Sequence, residues 1–551
     1  MSGRFLLFLA AFLSLGLSLT ACGPQRGHRQ PCPAGQLCLE YGNGGDPQSL
    51  DPQIATTTNE AAILRELFDG MYTDGPDGSP ELGVAAKPPD VSPDGLVWTF
   101  HLRPEKWSDG QPVTANDFVY AYRRMLTPST GSSYAYLLYL LKNGQAVNEG
   151  KAPPEAVGAR AIDDETLQLT LEHPASYLPQ LLKHQAYFPI PAHLLIARGD
   201  AWKNPGVMVS NGAYTLTSWR LGDYVRITKN PLYRDAAHVC FDRVDFFPTI
   251  DPISAMRRVL AGELDVNSTI QSNRVRMLRK DPKSAPYVRS HPFLNTVYLA
   301  LNIKDVPALR KLEVRQAISM AIDREFITDK VLAAGQVPTT SFVPLGIADY
   351  LPRDAPHPGA YWVTWPLDRR QAEARRLLTA AGYGPDHPLN LEIKTSDGGN
   401  NAAVQSIQSD LKSVGVDIHL RLEDGAVVFQ SLNMRDFQMG TAGWVADYDD
   451  PMTYLALLKS DTGQQNYGDY DNPDYDALLA KSDNEPDAAK RTALLVQAEQ
   501  LAMDDANMVP LYDGVNLSMV SPHITGWVDN DADIHPIRYL CRNDAGGRAA
   551  K

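Results

Sequence analysis

Asp447, Asp449 and Asp450 stand close together among Trp444, Tyr448 and Tyr454. A carboxylate among aromatic rings can hold a cationic group, because a buried cation needs a counter-charge. Tyr134, Tyr136 and Tyr139 crowd a second short stretch. Rings with a few fixed charges can line a binding cavity. They can equally fill a core while the acids form a solvated turn, and the pattern fits both. Covalent chemistry is harder to find. There is no H-E-x-x-H, no G-x-S-x-G and no G-x-x-x-x-G-K-[ST]. The 12 histidines are scattered, and His291, His357 and His387 each sit beside a proline in expected surface loops. Asp529, Asp531 and Asp533 imitate the start of a calcium loop, but Ile534 replaces the needed Gly and Leu540 stands where a bidentate Glu belongs. No C-x-x-C occurs, which argues against a zinc ribbon or a thioredoxin-like site. No catalytic residue, metal or cofactor is expected.

The chain of 551 residues suggests several domain-sized units. Its 44% hydrophobic and 21% charged composition is that of a folded protein. The net charge of −14 and the lack of long basic runs argue against nucleic acid as a partner. The only long apolar run lies at the N-terminus. There, Arg4 followed by apolar Phe5 to Leu19 reads as a signal peptide over residues 1–21. It ends in Leu19-Thr20-Ala21-Cys22, which resembles the bacterial lipobox and marks Cys22 for lipidation. Residues 22–38 then form a lipidated, Pro- and Gly-rich tether. The expected location is extracytoplasmic or periplasmic, with contact to a membrane only through that lipid. Cys32, Cys38, Cys240 and Cys541 remain, and four cysteines allow three pairings. Cys32 and Cys38 are near enough for a small loop, which would leave Cys240 and Cys541 to pair over a long range.

Several elements must position these residues. Apolar spacing predicts helices over Asn59 to Tyr72, from Thr114 onward, over Val314 to Leu332, after Asp368, over Ala402 to Val414 and over Asp487 to Met503. Alternation predicts strands at Val97 to Arg103, Leu167 to Leu171, Leu389 to Lys394, Val416 to Leu422 and Val509 to Tyr512. Strands and helices that alternate irregularly imply α/β lobes with partly parallel sheets.

In order along the chain come Gln48-Ser49-Leu50-Asp51-Pro52, Trp107-Ser108-Asp109-Gly110, Asn211-Gly212-Ala213-Tyr214, Gly262-Glu263-Leu264-Asp265 and Ala442-Gly443-Trp444-Val445-Ala446-Asp447-Tyr448. The set resembles the oligopeptide-binding proteins of bacterial ABC importers, extracytoplasmic solute-binding family 5, over about residues 40 to 545. The resemblance implies a bilobal α/β periplasmic-binding-protein-like fold, with two hinged lobes and a third, inserted one. Lobe I would take 39–68, 193–296 and 515–551, lobe II 69–192, and lobe III 297–514. The implied function is a monomeric receptor that captures peptides between closing lobes and delivers them to ABC transporter permease subunits. Covalent catalysis is not implied.

In such a family the ligand is held as an added strand. The resemblance places Thr56, Thr57 and Thr58 on one side of it and Gly443, Trp444 and Val445 on the other. Asp447 would meet the ligand's α-ammonium. Tyr134, Tyr298 and Ser268 would line the same cavity. Thr441 replaces an Arg that holds the carboxylate in some relatives; either water or another basic residue such as Lys330 meets the carboxylate, or nothing charged does. The amino end would then be held firmly and the carboxyl end loosely. Within the same fold a murein peptide, a dipeptide or another small solute is an alternative ligand. A sensor or chaperone-like peptide-binding lipoprotein, and more remotely an extracytoplasmic peptidase, are the competing classes.

Overall fold

The structure is a computed structural model that describes residues 31–396 and 401–543. The signal peptide, Cys22 and most of the tether lie outside the described residues.

An 11-stranded mixed sheet runs through the molecule. Its centre is a pair of long antiparallel strands, Val288–Leu301 and Met508–Val520, in register from Val288 opposite Met519 to Ala300 opposite Met508. The register shifts between Pro292 and Thr296, where proline has no N–H to give the ladder. On one side follow Met439–Val445, Leu389–Ser396 and Val416–Glu423. On the other lie Val266–Asn267, Cys38–Gly42, Arg243–Phe247, Tyr224–Lys229 and Tyr214–Arg220. The two long strands therefore belong to both halves of the sheet.

Local sequence explains the pieces. Cys38–Gly42 is buried at every residue and has parallel neighbours on both edges, as a strand covered on both faces requires. Leu389–Ser396 and Val416–Glu423 pair in parallel. The helix Asn401–Ser413 between them buries Ala403, Val404, Ile407 and Leu411. Gly415, at φ +94°, ends that unit in the left-handed conformation that glycine adopts without steric cost. A separate four-stranded sheet orders Asp90–Val91, Val97–His101, Thr166–Thr170 and Ala159–Asp163. In its third strand Leu167 and Leu169 are buried while Thr166, Gln168 and Thr170 are half-buried. Thr114 precedes the helix Ala115–Leu126, and the Asp117 carboxylate accepts the Thr114 N–H at 2.9 Å.

Two helices are shorter than their periodicity predicts. The first spans Thr58–Leu67, because Phe68 is already extended and Tyr72–Asp74 is a strand. The run from Val314 breaks after Leu312–Ala321. There Asp323 caps a new turn by accepting the Phe326 N–H. The buried Arg324 then donates to the carbonyls of Pro510 and Ser319. Local capping and a buried guanidinium override the apolar period at that point.

Four apolar clusters form the core. One joins residues of the four-stranded sheet to the strand Cys38–Gly42 and to Ile537 and Leu540 near the C-terminus. Two pack around the strands of the second half, and a small one holds Val259, Leu264 and Val275 against Leu517 and Met519. The C-terminal segment is fixed to the first cluster by charge as well. Arg538 donates to Asp69 at 2.9 Å and to the Asp74 carbonyl at 2.8 Å. Asp69 also pairs with Arg234 at 2.6 Å.

Both disulfides are present, with Cα–Cα distances of 5.8 Å for Cys32–Cys38 and 5.4 Å for Cys240–Cys541, inside the usual range of about 4.4–6.8 Å. The second closes a loop of 301 residues. Cys541→Ser is expected to lower stability by about 2–4 kcal/mol, measured by chemical unfolding without reductant. The same substitution under reducing conditions should make no difference.

Candidate functional site

A cavity of about 930 Å³ lies between the first half and the second, near the upper end of the roughly 300–1,000 Å³ typical of ligand pockets. Thr56, Thr57, Thr58, Tyr134, Ser268, Trp444, Val445 and Asp447 line it. The structure thus brings together most of the residues that the sequence singles out.

Asp447 is the best-defined group. Its carboxylate accepts from the hydroxyls of Tyr136 at 2.9 Å and Tyr134 at 3.3 Å. Burial pushes its pKa up to about 6, against the pull of those two hydroxyls. A half-buried carboxyl with a raised pKa gains from any cation that reaches it. The other two aspartates have different duties. Asp450 forms a buried bidentate pair with Arg491 at 2.8 and 2.9 Å. Asp449 accepts the Ala348 N–H at 2.8 Å. The tyrosines come from the first half and Asp447 from the second, so these bonds join the two halves. Tyr177 stacks on Tyr448 at 5.4 Å in the same seam.

Trp444 lies in the strand Met439–Val445, opposite Thr296 of the long strand. Its carbonyl accepts from Asn295 Nδ2 at 2.9 Å, and its buried indole N–H has no hydrogen-bond partner among the described residues. On its other edge the strand pairs only at Met439 and Gly440. From Thr441 to Val445 that edge is open among the described residues, so its N–H and C=O groups can accept an added strand.

The threonine segment departs from expectation. Glu60 Oε2 takes the N–H groups of Thr56 at 2.8 Å and Thr57 at 3.0 Å. Thr57 is the N-cap and Thr58 the first residue of the helix Thr58–Leu67. The Thr56 and Thr57 N–H groups are therefore engaged by the capping box, and Thr58 has entered the helix, although all three residues line the cavity. Tyr298 is also displaced. It is 3% exposed and packs edge-on against Phe342 at 5.3 Å, within a core cluster and away from the large cavity. It shares the sheet face of Ala442 and Trp444, but Phe342 covers it within the core cluster against which Trp444 packs. Thr441 bonds to Thr395 at 3.0 Å and Gly443 faces Val297 across the sheet; neither lines the cavity. Lys330 is exposed on the turn Ile327–Leu332.

Sequence reasoning missed the cavity's own cations. Arg65 and Lys183 both line it, and each pairs with Asp74 at 3.0 Å. Nothing in the local spacing links positions 65, 74 and 183, since only the tertiary fold joins them. Against these two cations stand Glu66, Asp74, Asp447, Asp449 and Asp533. His184 packs on Tyr134 at 5.3 Å, and burial lowers its pKa to about 3, so it stays neutral.

A mixed α/β molecule whose halves share two long strands and enclose a polar, aromatic-lined cavity is a periplasmic-binding-protein fold. The profile described as "Bacterial extracellular solute-binding proteins, family 5 Middle" matches residues 79–466, and the chain belongs to that family of binding proteins, which are receptors and not enzymes. It is 35% identical over 499 residues to the periplasmic oligopeptide-binding protein OppA of Escherichia coli (strain K12), covering 90% of each chain. The solved murein tripeptide binding protein MppA of Escherichia coli is 33% identical, with a TM-score of 0.85 over 92% of this chain and 99% of that one. Its unliganded open form gives a TM-score of only 0.72 over 92% and 98%. The Haemophilus influenzae OppA complex with RPPGFSPFR gives 0.83 at 30% identity, covering 92% and 99%. Family relatives are periplasmic or extracytoplasmic. No helix among the described residues is long and apolar enough to cross a membrane.

Proposed function

We propose that this protein is a receptor that captures peptides in the cavity between its halves and delivers them to the permease of an ABC transporter. Cys22 would carry the lipid that keeps it at the membrane. Lobe I would be 39–68, 193–296 and 515–551, lobe II 69–192 and lobe III 297–514, with the hinge in the two long shared strands. The observation that carries this reading is the strand end Trp444–Val445, unpaired on one edge among the described residues, lining the cavity and leading directly to the carboxyl of Asp447, whose pKa burial raises. A peptide presents the complementary pair: a backbone edge and a terminal ammonium. Ser268 and the Tyr134 hydroxyl supply further polar contacts along the wall. The excess of carboxyl groups over cations favours peptides with basic side chains. The peptide-binding names of the relatives support the reading, and the likeness to MppA keeps murein peptides within it.

The decisive experiment is mass spectrometry of the small molecules that co-purify with the protein. A mixture of short peptides supports the proposal, and a single non-peptide solute sinks it.

The ammonium contact also sets a pH dependence. In the free protein Asp447 titrates near pH 6, and a bound ammonium stabilises only the ionised form. Affinity is therefore fully present above that pH and falls as pH drops through it. Between about pH 7 and pH 5 the dissociation constant of a tripeptide should rise about tenfold, measured by calorimetry. An N-acetylated tripeptide should lack this dependence.

A further inference from the structure

We propose that His291, Asp533 and His535 form a binding site for a divalent transition-metal ion of the zinc class. One ligand atom from each lies within 4.8 Å of the other two. His291 Nε2 is 3.8 Å from Asp533 Oδ1, and His535 Nε2 donates to the same oxygen at 2.9 Å, through a proton that a metal ion would replace. Tetrahedral bonds of about 2.0–2.2 Å put ligand atoms roughly 3.3–3.6 Å apart, so these separations need only slight adjustment.

The state of His291 is the stronger argument. Its Nδ1 lies 2.9 Å from the Pro292 carbonyl, which can only accept, so Nδ1 carries the proton. In the neutral ring that leaves a bare lone pair on Nε2. This atom is buried, in a residue 8% exposed, and makes no hydrogen bond. It faces the Asp533 carboxylate, also an acceptor. Two acceptors turned toward each other in a buried place call for a cation between them. Pro292 supplies the outer-shell bond that orients a metal-binding imidazole. The second ring is held too: His535 stacks on Trp527 at 3.8 Å and meets His291 edge-on at 5.9 Å.

The neighbouring aspartates are committed elsewhere. Asp529 accepts from the Trp527 indole and Asp531 pairs with Arg353. The site is thus a His-Asp-His set suited to imidazole-preferring metals, and not the oxygen cage of calcium. It joins the long strand, at its irregular passage beside Pro292, to the C-terminal segment. Asp533 and His535 also line the main cavity.

The test uses the full chain, purified without a polyhistidine tag, stripped with chelator and dialysed. Zinc alone is titrated by calorimetry, and cobalt alone is followed by its visible absorption. The expected result is one equivalent of zinc per chain, a tetrahedral cobalt spectrum and a melting temperature raised by zinc. His535→Ala and Asp533→Asn should each weaken binding at least tenfold and abolish the thermal shift. His291→Ala should do the same, and the other two variants decide the matter if it does not fold. Absence of saturable binding, or equal binding by the native protein and the folded variants, overturns the proposal.

Discussion

Asp447→Asn binds peptides more than a hundredfold more weakly than the native protein while folding at least as stably in the absence of ligand. The two halves of that expectation have one cause. Without ligand, the carboxyl group is buried with only two tyrosine hydroxyls for company, and desolvation raises its pKa. A raised carboxyl pKa means that ionisation costs folding free energy at neutral pH, so removing the charge relieves the free protein. With ligand, on the proposed reading, the same carboxylate would neutralise an ammonium that would otherwise be buried alone. Cutting one side of such a pair costs about 3–5 kcal/mol. Calorimetry measures the first half and thermal unfolding the second. N-acetylation of the peptide should reduce affinity for the native protein but not for the variant. Equal loss in both would show that the ammonium is held elsewhere.

Asp69→Ala should be the most damaging single change to stability, lowering it by about 3–5 kcal/mol. Asp69 is fully buried and serves two arginines, Arg234 and Arg538. Burial alone would raise its pKa, but the two guanidinium groups prevail and hold it below the ordinary value. Its stabilising charge is therefore present above the unfolded pKa of about 4 and is lost as pH falls through the lower folded value. Alanine leaves two guanidinium groups short of their carboxylate, although Glu105 still meets Arg234 at 3.0 Å. Denaturant unfolding measures the loss. Arg538→Met should cost less, because Arg234 keeps Asp69 paired. If the two variants are equal, the network is not organised around Asp69.

The sequence made these sites visible to different degrees. Asp447 and Trp444 could be found because their motif is contiguous and the strand that carries it is continuous from Met439 to Val445. The strands around Leu167 and Leu389 were visible from alternation, since each buries one face. The roles of Thr56 and Thr57 were hidden by Glu60, whose capping contacts compete with a ligand for the same donors. Tyr298 lies on the expected face, but motif matching does not show that Phe342, from another part of the chain, covers it. Arg65, Lys183 and Asp74 could not be linked from sequence, and neither could His291 and Asp533. Their meeting depends on chain paths with no local period.

The C-terminal segment has a consequence for the order in which the molecule can form. A ribosome releases Asp69 long before Arg538, its partner 469 positions later. The strand Met508–Val520, to which Val266–Asn267 and Val288–Leu301 are bonded, is equally late. A chain that still lacks residues 508–538 therefore carries an incomplete first sheet and an acid with only one of its two arginines. Contacts this distant in sequence form slowly, since the intervening chain must first be brought to order. The refolding protein should remain sensitive to protease until residues 508–543 have docked, and then become resistant in a single step.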